Sequence, residues 1–211
     1  MALAAQPVST SIGDKTFLEA FAVTTGDNPI SVLLRCSADT AMAESFASQQ
    51  ANSCLLAVGD LTLDKDGNMP AVFARSICEA TADQYLNEVT IVGRASGGAK
   101  VAEKSVSRSL AVNRYVGKEE VTDWFKVRGF GFAKDKLENA PKGALLCISG
   151  CLTQMTNKEG QTYPELKARV IRVHDRNSGG GKGGHDQARG TKASGYSQQD
   201  FETDTMPFEW M

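Results

Sequence analysis

Aromatic rings and cations alternate along one short stretch in the middle of the chain, residues 124–130. In a β-strand, successive side chains point to opposite faces. One face would then carry Trp124, Lys126, Arg128 and Phe130. Because burying unpaired lysine and arginine is costly, we expect that face to be exposed and Phe125 and Val127 to be core. Rings that stack on bases, beside cations that follow phosphates, are typical of proteins that bind an unpaired nucleic-acid strand.

The elements that must position this stretch are predicted to be five strands and one short helix. β-branched and apolar runs indicate strands at residues 89–93, 110–112, 124–130, 144–148 and 163–174. A helix is expected over residues 133–140, where Pro141 and Gly143 end it. Five strands with a helix between the third and fourth are the plan of an OB-fold, a small β-barrel that often binds oligonucleotides.

The first part of the chain repeats this plan about 90 residues earlier. Leu-Leu-Ala-Val-Gly at 55–59 corresponds to Leu-Leu-Cys-Ile-Ser-Gly at 145–150, and Ala-Arg-Ser-Ile at 74–77 to Ala-Arg-Val-Ile at 168–171. We therefore predict an all-β protein of tandem OB-folds, each with one short helix. Few residues precede Ile30, so the first strand of the first copy is expected to be missing or rebuilt from residues 7–12.

Charge separates the two copies. Residues 15–85 carry four basic and nine acidic side chains, whereas residues 86–176 carry sixteen basic and ten acidic ones. Since charges are screened over about 10 Å, the local excess matters more to a polyanion than the formal net charge of −2. The predicted domains are a degenerate OB-fold at 1–85 and the binding OB-fold at 86–176.

Residues 177–211 have a different composition. Seven glycines and no periodic apolar pattern predict a disordered, flexible tail that ends in an acidic and apolar tip at 200–211. The chain has no apolar run of about 18 residues, the length of a membrane-spanning helix, and no secretory signal pattern. The five cysteines form no C-x-x-C pair, so reduced thiols and a cytoplasmic location are expected.

The order of these motifs resembles the bacterial single-stranded-DNA-binding protein family. The matching segments are 87–94 (Asn-Glu-Val-Thr-Ile-Val-Gly-Arg), 110–114 (Leu-Ala-Val-Asn-Arg), 122–131 (Thr-Asp-Trp-Phe-Lys-Val-Arg-Gly-Phe-Gly) and 204–208 (Asp-Thr-Met-Pro-Phe). The resemblance implies sequence-independent binding and protection of single-stranded DNA in replication, recombination and repair. It also implies a nucleoid-associated location and a homodimer, because the family commonly presents four OB-folds.

The resemblance also assigns roles to residues. Trp124 and Phe130 match base-stacking positions, and Tyr115 lies near a third. The other predicted DNA contacts are Arg94, Lys104, Arg108, Arg114, Lys126, Arg128, Tyr163 and Arg169. The tip expected to recruit replication and repair proteins comprises Asp204, Met206, Pro207 and Phe208.

The sequence contains none of the phosphate-loop, zinc-protease or nucleophile-elbow motifs, and we predict no catalytic residue, metal or cofactor. Cys147 and Cys151 share a strand face, but the histidines that would complete a zinc site are missing from their surroundings in the sequence. Two alternatives stay open. One is a double OB-fold scaffold of the replication machinery that binds little DNA, and the other is an RNA-binding protein, because ring stacking does not itself read the sugar.

Overall fold

The computed structural model describes residues 1–26, 28–64, 69–81, 83–116, 118–156 and 160–174. The first of its two sheets is built from residues 2–79. Its elements are β1 (Ala2–Leu3), β2 (Val8–Ile12), β3 (Lys15–Val23), β4 (Ser31–Ser37), α1 (Ala41–Ala47), β5 (Leu55–Leu63) and β6 (Pro70–Glu79). The strand order is β1-β3-β4-β6-β5, and β2 pairs with β3.

The second sheet has the same order of elements, and its strands are longer except for the second one. They are β7 (Val89–Ala95), β8 (Lys100–Val101), β9 (Ser105–Val116), β10 (Glu119–Phe130), α2 (Phe132–Asn139), β11 (Leu145–Thr156) and β12 (Thr162–His174). Because β9 pairs with both β7 and β10, the sheet closes into a five-stranded barrel through β12 and β11. The prediction of an all-β protein with tandem OB-folds, each with one short helix, is confirmed. The predicted tail lies outside the described residues.

The two sheets repeat each other in detail. In each, the strand before the helix pairs in parallel with the last strand, β4 with β6 and β10 with β12. Each also has an irregularity in the hairpin that follows the helix, at Gly59 and at Gly150. A Cβ at either glycine would lie 2.1 Å from a carbonyl oxygen of the facing strand, so neither position accepts a side chain without a shift of the backbone.

The first strand of the first barrel differs from the expectation. We expected it to be missing or rebuilt from residues 7–12. Instead β1 occupies the place of β7, reduced to two residues, and β2 takes the place of the short β8. A single bridge between Ala2 and Cys54 joins β1 to the start of β5, where the second barrel has six residue pairs between β7 and β11.

The barrels pack against each other through apolar side chains. Ile30 and Val32 of the first barrel form a buried cluster with Leu152 of the second, and Leu63 at the end of β5 belongs to the core of the second barrel. The connecting segment is held by Asn87, whose side chain donates to the carbonyl of Leu152 and accepts from its N–H. Residues 1–176 therefore form one compact unit. The predicted domain boundaries at 85/86 and 176/177 stay predictions.

Candidate nucleic-acid interface

Strand β10 alternates between core and solvent as its sequence predicts. Phe125 and Val127 are buried in the core of the second barrel. On the opposite face, the side chains of Trp124 and Phe130 are 54% and 43% exposed, and Lys126 is exposed between them. Two rings thus stand on the outside of the barrel, six residues apart along one strand.

Strand β12 adds a second line of rings and cations beside β10. The strands run in parallel, with Lys126 opposite Glu165 and Arg128 opposite Lys167. The ammonium nitrogen of Lys126 lies 3.5 Å from the centroid of the Tyr163 ring, and that of Lys167 lies 5.4 Å from the centroid of the Phe130 ring. These contacts join four side chains in two pairs, and Trp124 shares their face of β10. The five form one surface, the ring–cation face, defined as Trp124, Lys126, Phe130, Tyr163 and Lys167.

Lys167 was missed by the sequence reasoning. The parity rule that orients β10 would have identified it, since Tyr163 and Lys167 are an even number of residues apart on one strand.

A row of small side chains on β9 lies beside the ring–cation face. Each pairs across the hairpin with an outward-facing residue of β10, and the row consists of Ser105, Ser107, Ser109 and Ala111. Cross-strand partners share a face, so these short side chains leave a shallow strip next to the rings. The alternation of small with larger side chains in Ser-Val-Ser-Arg-Ser-Leu-Ala at 105–111 is the sequence signal that indicates this row.

Arg128 shares the parity of Lys126 but has a different role. Its Nε donates to Oε2 of Glu165 at 2.7 Å and its Nη1 to the hydroxyl of Ser105 at 3.2 Å. The hydrogen bond to Glu165 raises the pKa of Arg128 above its ordinary value. The Glu165 side chain is only 2% exposed, and its Oε1 has no hydrogen-bond partner in the described part of the chain. Arg128 therefore neutralises a buried carboxylate, which leaves it less available to a phosphate than predicted.

Two further arginines are engaged within the barrel. Arg108 is 6% exposed and donates to the carbonyls of Gly97 and Leu137, and burial lowers its pKa. It ties the end of α2 to the β7–β8 turn and is engaged within the barrel, while its predicted DNA contact stays a prediction. Arg114 faces the inner side of the hairpin, where its Nε donates to Asp123 at 2.7 Å. This ion pair turns it away from the ring–cation face.

The remaining predicted residues are exposed at the margins. Arg94 of β7 pairs with Ala111, which pairs with Trp124, so the three lie in one row across the sheet. The guanidinium of Arg94 also donates to the Gly143 carbonyl at 3.1 Å. Tyr115, 72% exposed, stands on the same face near the far end of β9.

The other two margin residues are cations. Lys104 is exposed in the turn immediately before Ser105, the cross-strand partner of Phe130. Arg169 is exposed on β12, two residues beyond Lys167.

The corresponding surface of the first barrel carries a different set of groups. Leu33 and Arg35 of β4 hold the places of Lys126 and Arg128, because they pair with β6 in the same way. Arg35 forms an ion pair with Glu19 and lies 5.6 Å from the centroid of the Phe17 ring, which packs edge-on against Phe73. The positions that correspond to Trp124 and Phe130 hold serines in the first barrel, Ser31 and Ser37.

Other features of the described residues add no second site. None of their helices is long and apolar enough to cross a bilayer. The described ranges also contain no group of three or more metal-ligating side chains. The predicted partner-binding tip at Asp204, Met206, Pro207 and Phe208 lies outside the described residues.

Fold and face together define the class: two OB-folds in tandem, of which the second carries rings and cations on its outer surface. Two solved structures share this architecture. The wild-type single-stranded DNA binding protein from Thermus aquaticus matches with a TM-score of 0.61 and 18% identity, over 89% of this chain and 92% of that one. A deletion mutant of the same protein matches with a TM-score of 0.59 and 17% identity, over 83% of this chain and 92% of that one. At this identity the similarity shows the fold. No protein-family model and no curated protein matches the sequence.

Proposed function

We propose that the second barrel binds single-stranded DNA without regard to sequence, on the ring–cation face. The observation that carries this proposal is the exposure of Trp124 and Phe130 beside Lys126 and Lys167 on two parallel strands. An exposed ring accepts any base, since every base has a π-face, and a base–ring stack contributes about 1–3 kcal/mol.

The same geometry accounts for a preference for unpaired strands. Bases held in a duplex are stacked on each other and cannot also stack on Trp124 and Phe130, whereas the bases of a single strand are free to do so. Lysine ammonium groups contribute sequence-independent attraction for the phosphates that connect those bases. Binding of this kind needs no catalytic group, metal or cofactor. The proposed function is therefore DNA binding and not catalysis.

The tail is proposed to recruit proteins. Asp200, Glu202, Asp204 and Glu209 place four negative charges among Phe201, Met206, Phe208 and Trp210. Phosphates repel such a segment, and a basic-rimmed apolar pocket on another protein suits it. With the likeness of its Pro-Phe tip to the bacterial family, this supports a cytoplasmic, nucleoid-associated role in replication, recombination and repair.

The assembly is proposed to be a homodimer. The family resemblance implies four OB-folds, and a chain that contains two reaches that number as a two-fold dimer, the commonest oligomeric symmetry. We expect static light scattering at micromolar concentration to give twice the 22.6 kDa chain mass. A monomer or a tetramer would contradict the dimer and leave the DNA-binding proposal unaffected.

The test of DNA binding is a set of three single substitutions. Trp124→Ala and Phe130→Ala should each weaken the binding of a fluorescein-labelled oligo-dT by about 1–3 kcal/mol, measured by anisotropy. Phe21→Ala is the matched control, because Phe21 is 53% exposed and lies on the first barrel. Unchanged affinity in both second-barrel variants would reject the ring–cation face as the binding site. A parallel titration with labelled oligo-U measures whether the chain binds RNA as tightly as DNA.

A further inference from the structure

Phe132 is the most exposed large apolar side chain among the described residues. It is 92% exposed, against 43% for Phe130 and 54% for Trp124. An aromatic side chain can bury about 150–250 Å² on contact. A ring that is almost fully hydrated therefore has nearly all of that contact area free for a partner.

The position of Phe132 follows from the turn between β10 and α2. Phe130 is the last residue of β10, and Gly131 then adopts φ 51°, in the left-handed region that favours glycine. The turn allows α2 to bury Ala133 and Leu137 against the barrel. Phe132 precedes Ala133 by one residue, about 100° around the helix, and so points away from that buried side.

Phe130 and Phe132 are close along the backbone. Consecutive Cα atoms are 3.80 Å apart, so the Cα atoms of Phe130 and Phe132 are separated by at most about 7.6 Å. No residue other than Gly131 lies between them, and glycine has no side chain to block a path from one ring to the next.

Cations surround this end of the barrel. The Lys134 ammonium donates to the Glu103 carbonyl at 2.9 Å, which ties the first turn of α2 to the turn before β9. Lys104 is exposed in that turn, and Lys167 lies over the Phe130 ring. A strand that passes from Phe130 toward Phe132 thus remains among positive charges, as its phosphates require.

We infer that Phe132 is a further base-stacking residue, which extends the ring–cation face around the start of α2 and accepts the base next to the one on Phe130. This inference rests on the proposed binding of single-stranded DNA. The continuity with Phe130 and the neighbouring lysines favour the same nucleic-acid strand over a protein as the occupant. The binding track then runs from Tyr115 and Trp124 to Phe130, leaves the sheet, and continues over the helix.

The test compares four variants of the full chain in anisotropy titrations with labelled oligo-dT. Phe132→Ala and Phe132→Leu should bind on the order of 10-fold more weakly than the unsubstituted chain, because a base–ring stack of ordinary strength is lost. Phe132→Tyr keeps the ring and should bind within about 2-fold of the unsubstituted chain. Phe21→Ala, an equally conservative change at an exposed ring of the first barrel, should leave the affinity unchanged.

An abasic oligonucleotide of the same length separates stacking from charge. It retains the phosphates and has no bases, so Phe132→Ala and the unsubstituted chain should bind it equally. The inference is overturned if Phe132→Ala binds oligo-dT as tightly as the unsubstituted chain, or if its loss is as large on the abasic strand. If either result is found while Trp124→Ala and Phe130→Ala weaken binding, only the stacking role of Phe132 is rejected, and the proposed binding site stands. Undiminished binding by all three alanine variants rejects the ring–cation face as the binding site, whereas no oligo-dT binding by the unsubstituted chain rejects the proposed function itself.

Discussion

Lys126 and Arg128 are two residues apart on one face of β10, and their surroundings give them different roles. Lys126 is exposed, and its ammonium contacts the Tyr163 ring, so it can move to a phosphate at the cost of one cation–π contact. The side chain of Arg128 is 21% exposed and is held by the carboxylate of Glu165. Its charge is already balanced, and its loss would leave that carboxylate buried without a partner.

This difference predicts that two glutamine substitutions affect different properties, DNA binding in one case and stability in the other. Lys126→Gln should reduce the slope of log K against log salt for oligo-dT by about 0.7, the value for one phosphate contact on a single strand, with little change in stability. Arg128→Gln should lower the free energy of unfolding by about 3 kcal/mol, because Glu165 loses its partner. Urea unfolding and a salt series measure the two quantities. An unchanged salt slope for Lys126→Gln would contradict its phosphate contact, and unchanged stability for Arg128→Gln would contradict the structural ion pair.

The sequence identifies the exposed face of β10 and not the partners of its arginines. Exposure follows from alternation within one strand, so Trp124 and Phe130 could be placed from residues 124–130 alone. Arg128 and Glu165 are 37 residues apart, and Arg108 meets Leu137 at a separation of 29 residues. Such pairs depend on strand register and on where α2 lies against the barrel, which local patterns do not contain. For the same reason, the sequence alone does not distinguish arginines that are exposed from arginines that are held by partners inside the barrel.

At the scale of elements, the irregularity in the β11–β12 hairpin connects the fold to the proposed site. Gly150 faces Ala168 where the register shifts, and a Cβ there would lie 2.1 Å from the carbonyl oxygen of Lys167. Lys167 is also the residue whose ammonium lies over the Phe130 ring. A backbone shift at Gly150 would therefore move one of the cations of the ring–cation face.

The repeat supplies a matched control for this connection. Gly150→Ala and Gly59→Ala create the same steric conflict in different barrels, and each should lower the free energy of unfolding by about 1–3 kcal/mol. Only Gly150→Ala should also weaken oligo-dT binding, because only that conflict lies beneath the proposed face. Thermal unfolding and anisotropy measure the two effects. If Gly59→Ala weakened binding as much as Gly150→Ala, the proposal that DNA binds on the second barrel would be wrong.

Strand β5 explains why the first barrel persists without counterparts of the Trp124 and Phe130 rings. Leu63 at its end is 6% exposed and belongs to the core of the second barrel, while Leu61 packs against both that core and the cluster between the barrels. The first barrel thus contributes apolar contacts that stabilise its neighbour. Because those contacts do not depend on its outer surface, Ser31 and Ser37 could take the place of rings without loss of the fold.

At the scale of the whole molecule, the charges are divided among three parts of the chain. The first barrel is acidic, the second is basic, and the tip combines acidic with apolar residues. If residues 177–199 form the flexible linker that the sequence predicts, their average reach is about 25–30 Å by random-coil scaling, enough to contact a partner protein near the DNA. Phosphates repel the acids of the tip, so we expect the tip to add nothing to DNA affinity, and salt would screen the repulsion.

Removal of residues 200–211 should therefore leave oligo-dT affinity equal or higher at low salt. The truncated chain should also no longer capture the replication and repair proteins that we propose the full chain binds. Substitution of the four acidic residues of the tip by their amides is the control that separates charge from length. Much weaker DNA binding by the truncated chain, or undiminished capture of those proteins, would contradict the proposal that the tail recruits proteins and does not bind DNA.

The central claim is that a base stacks on Trp124, and tryptophan fluorescence tests it most directly. The chain has two tryptophans, so Trp210→Phe leaves Trp124 as the single reporter in an otherwise intact protein. We predict that oligo-dT quenches this emission saturably, with the same midpoint as the anisotropy titration, and that duplex DNA of equal length quenches it far less. Emission that stays unchanged while anisotropy shows the oligonucleotide bound would contradict the claim, because the strand would then lie elsewhere on the molecule.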